Sequence, residues 1–402
     1  MLIEFKFENF KNFHDETIFS MEATSGNEFE EMNTFIRCDM RLIKSALVFG
    51  ANSSGKTNFL DALSYMKNVV TSNLESQSDV IRERNSFFFN TISVLSEGRF
   101  EARMICGDVI YRYGFAKKNN MIPEEYLYRK RKRETLLFRR TTDIERETNR
   151  PMVKIETSSE FDMPKQFHQN IRSDVLFISF AHLLNIHTAE KVIDCFKKII
   201  ISTDAKFDYR IIDESEKANK SALEVLRYTD KNINDVKLVA LKEIGEMNSK
   251  EKKELAIIRD FYDANWNIVE QSENPVAFDE FASSGTKHIR RLLRNIFYVL
   301  EIGGVFVIDE IDKHLHPLLT RKIIGMFNSI EHNPNNAQLI CTVHDALLLK
   351  EDIRRDQFYF IDKDDYGRSS LYSLSDFSNV RKDSDVLRKY LFGAFGAIPK
   401  ID

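Results

Sequence analysis

The chain has 402 residues, of which 43% are apolar and 11% aromatic, enough to bury the core of one large domain or of two lobes. This composition excludes a disordered chain. The 58 basic and 62 acidic side chains give a formal net charge of −4, so the chain has no global positive field to attract nucleic acid. Any contact with nucleic acid therefore has to be local.

Cysteine usage and hydropathy indicate the compartment. The four cysteines, Cys38, Cys106, Cys195 and Cys341, lie far apart without paired spacing, which predicts neither a disulfide framework nor a zinc cage. No apolar run approaches the roughly 20 residues that cross a bilayer. The alternating segment Met1–Glu8 is typical of a strand and not of a signal peptide. We therefore expect a cytoplasmic protein in a reducing environment, with no membrane-spanning part.

The next elements predict a strand, a glycine loop and a helix. Ile43–Phe49 is a short apolar run that ends in Gly50, and helical periodicity begins at about Lys56. One face of this helix is apolar and consists of Phe59, Leu63, Met66 and Val70. From Phe100 to Phe138, short alternating segments broken by turn residues predict antiparallel strands.

The remaining residues have the pattern of an insertion followed by further strands of the first sheet. Residues 183–270 are charged and mostly of helical period, which predicts a helical insertion. Buried strands reappear after Pro275, at Gly304–Ile308, Gln338–Val343 and Phe358–Ile361. We predict an α/β fold in which residues 1–182 and 271–402 complete one mostly parallel core sheet, together with an antiparallel β lobe and the helical insertion.

The most specific motif is the loop between the first buried strand and its helix, Gly50-Ala51-Asn52-Ser53-Ser54-Gly55-Lys56-Thr57. Gly50 and Gly55 allow backbone angles that side chains forbid, so the loop amides can turn inward and cradle a β-phosphate at the helix N-terminus. Lys56 is expected to reach the β- and γ-phosphates, and the Thr57 hydroxyl to bind Mg²⁺. In its strand-to-helix context, this loop predicts an ATP site.

Two carboxylates follow the strand Gly304–Ile308. They lie at the carboxyl end of a buried strand, where open α/β sheets bind ligands. We expect Asp309 to hold the Mg²⁺ shell through water and Glu310 to polarise the attacking water. An Asp-Glu pair at the end of a strand is by itself weak evidence for a nucleotide site. Together with the phosphate loop it becomes strong evidence.

A second apolar strand, Gln338–Val343, ends in His344. A histidine at this position is more often a cap or a packed side chain. With the two preceding motifs present, we predict that His344 reaches the γ-phosphate or the attacking water and is a catalytic residue with Glu310 and Lys56.

A small polar turn, Ser283-Ser284-Gly285, opens a later helix. Serine hydroxyls, a glycine and a helix N-terminus together make an anion site. The alternative is an ordinary helix cap. As an anion site, the turn would serve a second nucleotide, or the same nucleotide bound by another subunit.

In chain order, these four motifs resemble the phosphate loop, signature turn, acidic strand and switch histidine of ABC-type ATPase heads. Phe7–Phe13 resembles the Asn-Phe-Lys motif of the SMC, RecF and overcoming-lysogenisation-defect group, and Asp309–Pro317 its Asp-Glu-x-x-x-x-Leu-His-Pro run. Tyr390–Pro399 resembles the chain ends of compact bacterial AbiL- and RloA-type ATPases of anti-phage loci. Residues 183–270 match this group only as a helical insertion.

The resemblance implies an ABC-type P-loop ATPase head that binds ATP and Mg²⁺ and forms a homodimer. Ser284 and Gly285 of one subunit would contact the γ-phosphate bound by the other. It implies a switch or scaffold that controls a nuclease or toxin encoded nearby, in anti-phage defence. A DNA-repair or chromosome-handling ATPase that binds DNA directly stays the alternative. The signature turn departs from the Leu-Ser-Gly-Gly-Gln of transporters, which disfavours transport, and the glutamine that links Mg²⁺ to the second lobe is not assigned.

Basic runs are the remaining local signals. Arg129–Arg133, with Arg139 and Arg140 nearby, form a candidate nucleic-acid patch. The favoured interpretation is a solvated strand edge that its charge protects from pairing. A second candidate patch consists of Arg290, Arg291 and Arg294.

Overall fold

The computed structural model of the chain describes residues 1–83, 85–145, 148, 150–203, 206–207, 216–229, 233, 235–240, 253–258, 260–271, 276–277, 282–378, 380 and 385–399. The chain divides into two compact units. The first comprises Met1–Phe207, Ile302–Lys313 and Pro317–Asp402. The second comprises Asp208–Glu301 and His314–His316.

The strands of the described residues are β1 (Leu2–Glu8), β2 (Thr17–Ser20), β3 (Thr34–Arg37), β4 (Met40–Ile43), β5 (Ser45–Phe49), β6 (Gly98–Cys106), β7 (Val109–Lys118), β8 (Met121–Lys130), β9 (Glu134–Ile144), β10 (Pro151–Thr157), β11 (Ile199–Thr203), β12 (Lys206–Phe207), β13 (Asp235–Ala240), β14 (Lys253–Ile258), β15 (Asp260–Tyr262), β16 (Ile268–Gln271), β17 (Val276–Ala277), β18 (Val305–Ile308), β19 (Gln338–Thr342), β20 (Phe358–Lys363) and β21 (Ser369–Ser373).

The α-helices of the described residues are α1 (Glu30–Asn33), α2 (Lys56–Thr71), α3 (Leu74–Arg82), α4 (Phe177–Leu183), α5 (His187–Lys197), α6 (Glu216–Thr229), α7 (Ser284–Ile302), α8 (Pro317–Asn328) and α9 (Val386–Leu391). Short 3-10 helices cover Ser93–Leu95, Lys165–Asn170, Ala346–Lys350, Arg355–Gln357 and Leu374–Asp376.

The first unit is built on a sheet with the strand order β12-β11-β18-β19-β5-β20-β21. The five inner strands run parallel, and β12 and β21 pair antiparallel at the two edges. Every residue of β5, β18 and β19 is buried, as is typical of parallel strands covered on both faces. Ile308 pairs with Cys341, and Thr342 pairs with Val48. The carboxyl ends of β18, β19 and β5 therefore lie side by side.

An antiparallel sheet forms the second layer of this unit, in the order β10-β9-β8-β7-β6-β1-β2. Its strands between Phe100 and Phe138 confirm the antiparallel prediction. The alternating N-terminal segment is β1, also as predicted. These elements confirm the α/β class.

Helix α2 joins the two sheets through one hydrophobic core. Its predicted apolar face, from Phe59 to Val70, is buried. The Phe59 ring lies 5.2 Å from that of Phe19 and 6.3 Å from that of Phe7, measured between centroids. Helix α8 packs against β5 and β19. Because α2 begins at the end of β5, this packing fixes the direction in which the phosphate loop leaves the sheet.

The predicted helical insertion includes residues that lie outside the described part of the chain, namely 204–205, 208–215, 230–232, 234, 241–252 and 259. For the described part of residues 183–270, the prediction of a helical insertion is wrong. Although α5 and α6 are helical, Ile199–Thr203 is a strand that pairs in parallel with β18. Its three consecutive isoleucines are β-branched and buried, which favours a strand inside a sheet. The second unit also contains a sheet of β13, β14 and β17, and a β15–β16 hairpin. The first unit extends to Phe207, and the second runs from Asp208 to Glu301.

The fold brings two of the four cysteines together, which their spacing in the sequence did not predict. Cys106 on β6 and Cys195 on α5 are joined by a disulfide, with Cα atoms 5.9 Å apart. The two positions are separated by 89 residues, and only the packing of α5 against β6 brings them together. Cys38 and Cys341 are free. Among the helices described for this chain, none is long and apolar enough to cross a membrane.

Candidate nucleotide site

The phosphate loop occupies the turn between β5 and α2. Two of its residues have left-handed backbone angles, Ser53 with φ +62° and Gly55 with φ +117°. A Cβ atom at Gly55 would also collide with the side chains of Asn12 and Ser369, so only glycine fits there. The side chains of Asn52 and Ser53 are exposed, whereas Ser54 is buried. The loop therefore combines a strained, solvent-facing tip with a base that is held from inside the protein.

Lys56 folds back over this loop. Its Nζ donates hydrogen bonds to the carbonyl oxygens of Gly50, at 2.7 Å, and Ala51, at 3.2 Å. Burial lowers the pKa of Lys56, while the nearby carboxylates of Asp309 and Glu310 act to raise it. The ammonium therefore lies inside the loop, close to two acidic groups. The first amides of α2 have no acceptor within the helix, which leaves them free for an anion.

A hydrogen-bonded brace holds the loop from behind. Asn12 Nδ2 donates to the Ser54 carbonyl at 3.3 Å and to Ser369 Oγ at 2.5 Å. Ser369 Oγ donates to the same Ser54 carbonyl, and the Ser369 amide donates to the Asn12 carbonyl at 2.8 Å. Asn58 Nδ2 donates to Asn12 Oδ1 at 2.8 Å. Sequence reasoning missed Asn12 and Ser369 as site residues, although Asn12 lies in the segment Phe7–Phe13 that carries the family resemblance.

Asp309 lies directly against the phosphate loop. Thr57 Oγ1 donates to Asp309 Oδ2 at 2.7 Å, and Thr342 Oγ1 donates to Asp309 Oδ1 at 2.6 Å. The Asp309 amide donates to the Ser202 carbonyl on β11 at 3.2 Å. The two residues predicted to bind Mg²⁺ are thus brought together, and Thr342, which the sequence did not reveal, orients the carboxylate.

Glu310 has a left-handed backbone angle, φ +49°, and its amide donates to Thr342 Oγ1 at 2.7 Å. One carboxylate oxygen lies 3.2 Å from His344 Nε2, and the other lies 3.3 Å from Lys313 Nζ. Partial burial acts to raise the pKa of Glu310, but the hydrogen bonds from His344 and Lys313 outweigh it and hold the pKa below its ordinary value. Glu310 is therefore ionised at neutral pH.

Asp312 fixes the backbone that presents His344. Its Oδ2 accepts hydrogen bonds from the amides of His344 and Asp345, both at 2.7 Å. This carboxylate follows Glu310 by two residues, and its position in the turn after β18 gave no sequence signal for such a role. The Asp312 side chain therefore connects the segments that follow β18 and β19.

The predicted signature turn lies in the second unit and opens α7, as expected. Ser283 Oγ accepts a hydrogen bond from the Thr286 amide at 3.0 Å, which is a helix N-cap. Ser284 is exposed and Gly285 half-buried in the first turn. Ser283 therefore serves its own helix, and the two following residues remain accessible.

The donor set suits a magnesium ion that arrives with a nucleotide. Thr57 and Asp309 provide two hard oxygen atoms, and Mg²⁺ characteristically binds through one or two protein groups together with substrate phosphates. Within the ranges that the structure describes, no cluster of three or more histidine, cysteine or acidic residues could hold a metal. The site thus fits Mg²⁺ shared with phosphates better than a metal held by the protein alone.

Comparison with known families matches residues 45–350 to the family described as "AAA domain, putative AbiEii toxin, Type IV TA system". The chain belongs to this family. The matched range begins at the first residue of β5 and ends after the turn that follows His344. It thus includes the phosphate loop, the acidic strand end and the turn of α7, but neither Asn12 nor Ser369. No curated protein matches the chain. Family membership confirms the resemblance at the level of AAA-type P-loop ATPases.

Proposed function

We propose that this AAA protein binds and hydrolyses ATP and works as a dimeric switch. The observation that carries the proposal is the pair of adjacent acidic residues at the phosphate loop. Asp309 accepts a hydrogen bond from Thr57 of the loop, and Glu310 contacts His344 on the neighbouring strand. Phosphoryl transfer needs such positioning and charge stabilisation more than covalent chemistry.

In this proposal, the loop amides and Lys56 bind the β- and γ-phosphates. Thr57 and Asp309 hold Mg²⁺, which when bound neutralises charge on the phosphates. Glu310, kept ionised by its hydrogen bonds, orients the attacking water and accepts its proton. His344 holds the Glu310 carboxylate in place, and Asp312 holds the backbone of His344.

We extend the proposal to a homodimer in which Ser284 and Gly285 of one copy contact the γ-phosphate bound by another. The accessibility of both residues at the start of α7 supports this role. ATP would then favour the closed dimer, and hydrolysis would open it.

The output of the switch would be a partner effector, a nuclease or toxin, in anti-phage defence in the cytoplasm. The family description supports this context, because it names a toxin and a type IV toxin–antitoxin system. The AbiL and RloA likeness of the chain end points the same way. Co-purification with the product of a neighbouring gene, with and without ATP, tests the assignment. An effector retained equally in both conditions would contradict nucleotide control and favour a static scaffold.

Two variants test the ATPase itself. Lys56→Ala should abolish ATP binding, because the loop loses the cation that is proposed to contact the β- and γ-phosphates. Glu310→Gln should bind ATP, hydrolyse it slowly and accumulate as a dimer in size-exclusion chromatography. Glu331→Gln, a neutralisation of an exposed glutamate outside the site, serves as the matched control. ATP turnover at the wild-type rate in Glu310→Gln would show that the role given to Glu310 is wrong.

A further inference from the structure

The basic run Arg129–Arg133 lies at the tip of a hairpin. It spans the end of β8, the turn, and the approach to β9. Both strands are inside the antiparallel sheet, where β7 flanks β8 and β10 flanks β9. β10 pairs with β9 only from Phe138 onwards, so the start of β9 beside the run keeps an open edge, and a charged strand edge remains the alternative interpretation of the run.

Several arginines elsewhere on this sheet form ion pairs with carboxylates. Arg112 Nη1 lies 3.0 Å from Glu101 and Nη2 lies 2.8 Å from Glu134. Arg139 pairs with Glu124, at 2.5 Å. At the base of the hairpin, Arg129 pairs with Glu160. The sheet thus supplies a carboxylate to each of these cations.

The tip differs from the rest of the sheet. Its side chains, Lys130, Arg131, Lys132 and Arg133, are all exposed. Within the part of the chain that the structure describes, none of the four forms a side-chain hydrogen bond or an ion pair. The hydrogen bond from Arg112 lowers the pKa of Glu134, and Lys130 lies close enough to this carboxylate to lower its pKa further. The four adjacent like charges together attract anions locally.

We infer that this hairpin tip binds the phosphodiester backbone of a duplex nucleic acid. Lys130 pairs with Glu134 across the hairpin, so the four charges are crowded around one turn. Duplex DNA carries a negative charge about every 1.7 Å along its axis. A two-stranded ribbon also fits the width of a major groove. The charge density of the tip therefore matches a polyphosphate far better than it matches scattered carboxylates on a protein surface.

The aromatic residues near the tip indicate that the tip contacts the phosphodiester backbone of the nucleic acid and not its bases. Arg112 lies over the Tyr128 ring at 4.1 Å, and the Tyr126 hydroxyl donates to Glu101 at 2.7 Å. Arg112 also lies 5.6 Å from the centroid of the Tyr126 ring, so one face of each ring is already occupied by a cation. The tip also carries no apolar side chain that would enter a membrane. Binding should therefore be independent of base sequence and strongly dependent on salt.

The test uses fluorescence anisotropy of the full chain with a labelled DNA duplex of about 30 base pairs, and with an RNA duplex of equal length, at about 50 mM salt. The variant K130Q/R131Q/K132Q/R133Q should bind at least about tenfold more weakly, and its slope of log affinity against log salt should fall by about 0.9 for each lost phosphate contact. The DNA and RNA arms identify which duplex is preferred.

The control variant K118Q/K165Q/K191Q/K350Q removes the same number of charges from exposed lysines elsewhere and should leave affinity unchanged. Urea unfolding of both variants checks that each is folded. The inference would be overturned if the tip variant bound as tightly as the wild type, or if the control variant lost as much affinity as the tip variant. It would also be overturned if the wild type bound neither duplex. Competition by poly-glutamate as effective as that by unlabelled duplex would overturn it too. Running the assay in the Lys56→Ala background separates this result from the ATPase proposal.

Discussion

Replacing Asn12 by alanine tests whether the phosphate loop depends on the brace behind it. The Asn12 side chain is 5% exposed and donates to Ser54 and Ser369, while accepting from Asn58. Three hydrogen bonds at about 1 kcal/mol each set an upper limit of about 3 kcal/mol for the loss of stability. The Ser54 carbonyl keeps its bond from Ser369, so we expect about 2 kcal/mol.

Nucleotide affinity should fall together with this stability. The Ser54 carbonyl is the point at which the brace holds the loop, and a loop released there must be ordered again by the ligand. If about 1.4 kcal/mol of the lost energy appears in binding, the dissociation constant for ATP rises about tenfold. Isothermal titration with ATP and Mg²⁺ measures the affinity, and urea unfolding measures the stability.

Asn58→Ala is the matched control, because it removes one hydrogen bond to Asn12 without touching Ser54. It should cost about 1 kcal/mol of stability and change ATP affinity less than about threefold. The reasoning is refuted if Asn12→Ala binds ATP as tightly as the wild type, or loses no more affinity than Asn58→Ala.

Three further predictions concern single side chains. Gly55→Ala should abolish ATP binding, because Gly55 has a φ of +117° and the new methyl group would collide with the side chains of Asn12 and Ser369. The control is Gly325→Ala, where the new Cβ meets open space. This control should be at least as stable as the wild type in thermal unfolding. Glu125→Ala should lower the free energy of unfolding in urea by about 3 to 5 kcal/mol. The reason is that this fully buried carboxylate pairs with buried Arg140 and accepts hydrogen bonds from the two amides that open α4. A loss of less than about 1 kcal/mol would contradict this expectation. His344→Ala removes a hydrogen bond that lowers the pKa of Glu310, so the acidic limb of the ATPase pH profile should move to higher pH; an unmoved limb would count against Glu310 as the base.

Local patterns predicted the strands and helices that carry the site. Gly50–Thr57 lies between β5 and α2, and the carboxylates follow β18, because a fully apolar run bounded by polar residues is a strong strand signal. The strand Ile199–Thr203 was missed for the opposite reason. It is short and follows directly on α5, so the helical period of its neighbours outweighed its three consecutive isoleucines.

The contacts that tune the site could not be predicted in this way. Thr342 links Asp309 to Glu310 across two strands, and Asp312 reaches the backbone of His344 from a different turn. Such hydrogen bonds depend on strand order and register, which a single sequence does not specify. The motifs identify the groups that touch phosphate, whereas tertiary pairing decides how those groups are oriented. A substitution at Thr342 should therefore disturb both acidic residues at once, although the sequence assigned this threonine no role in the site.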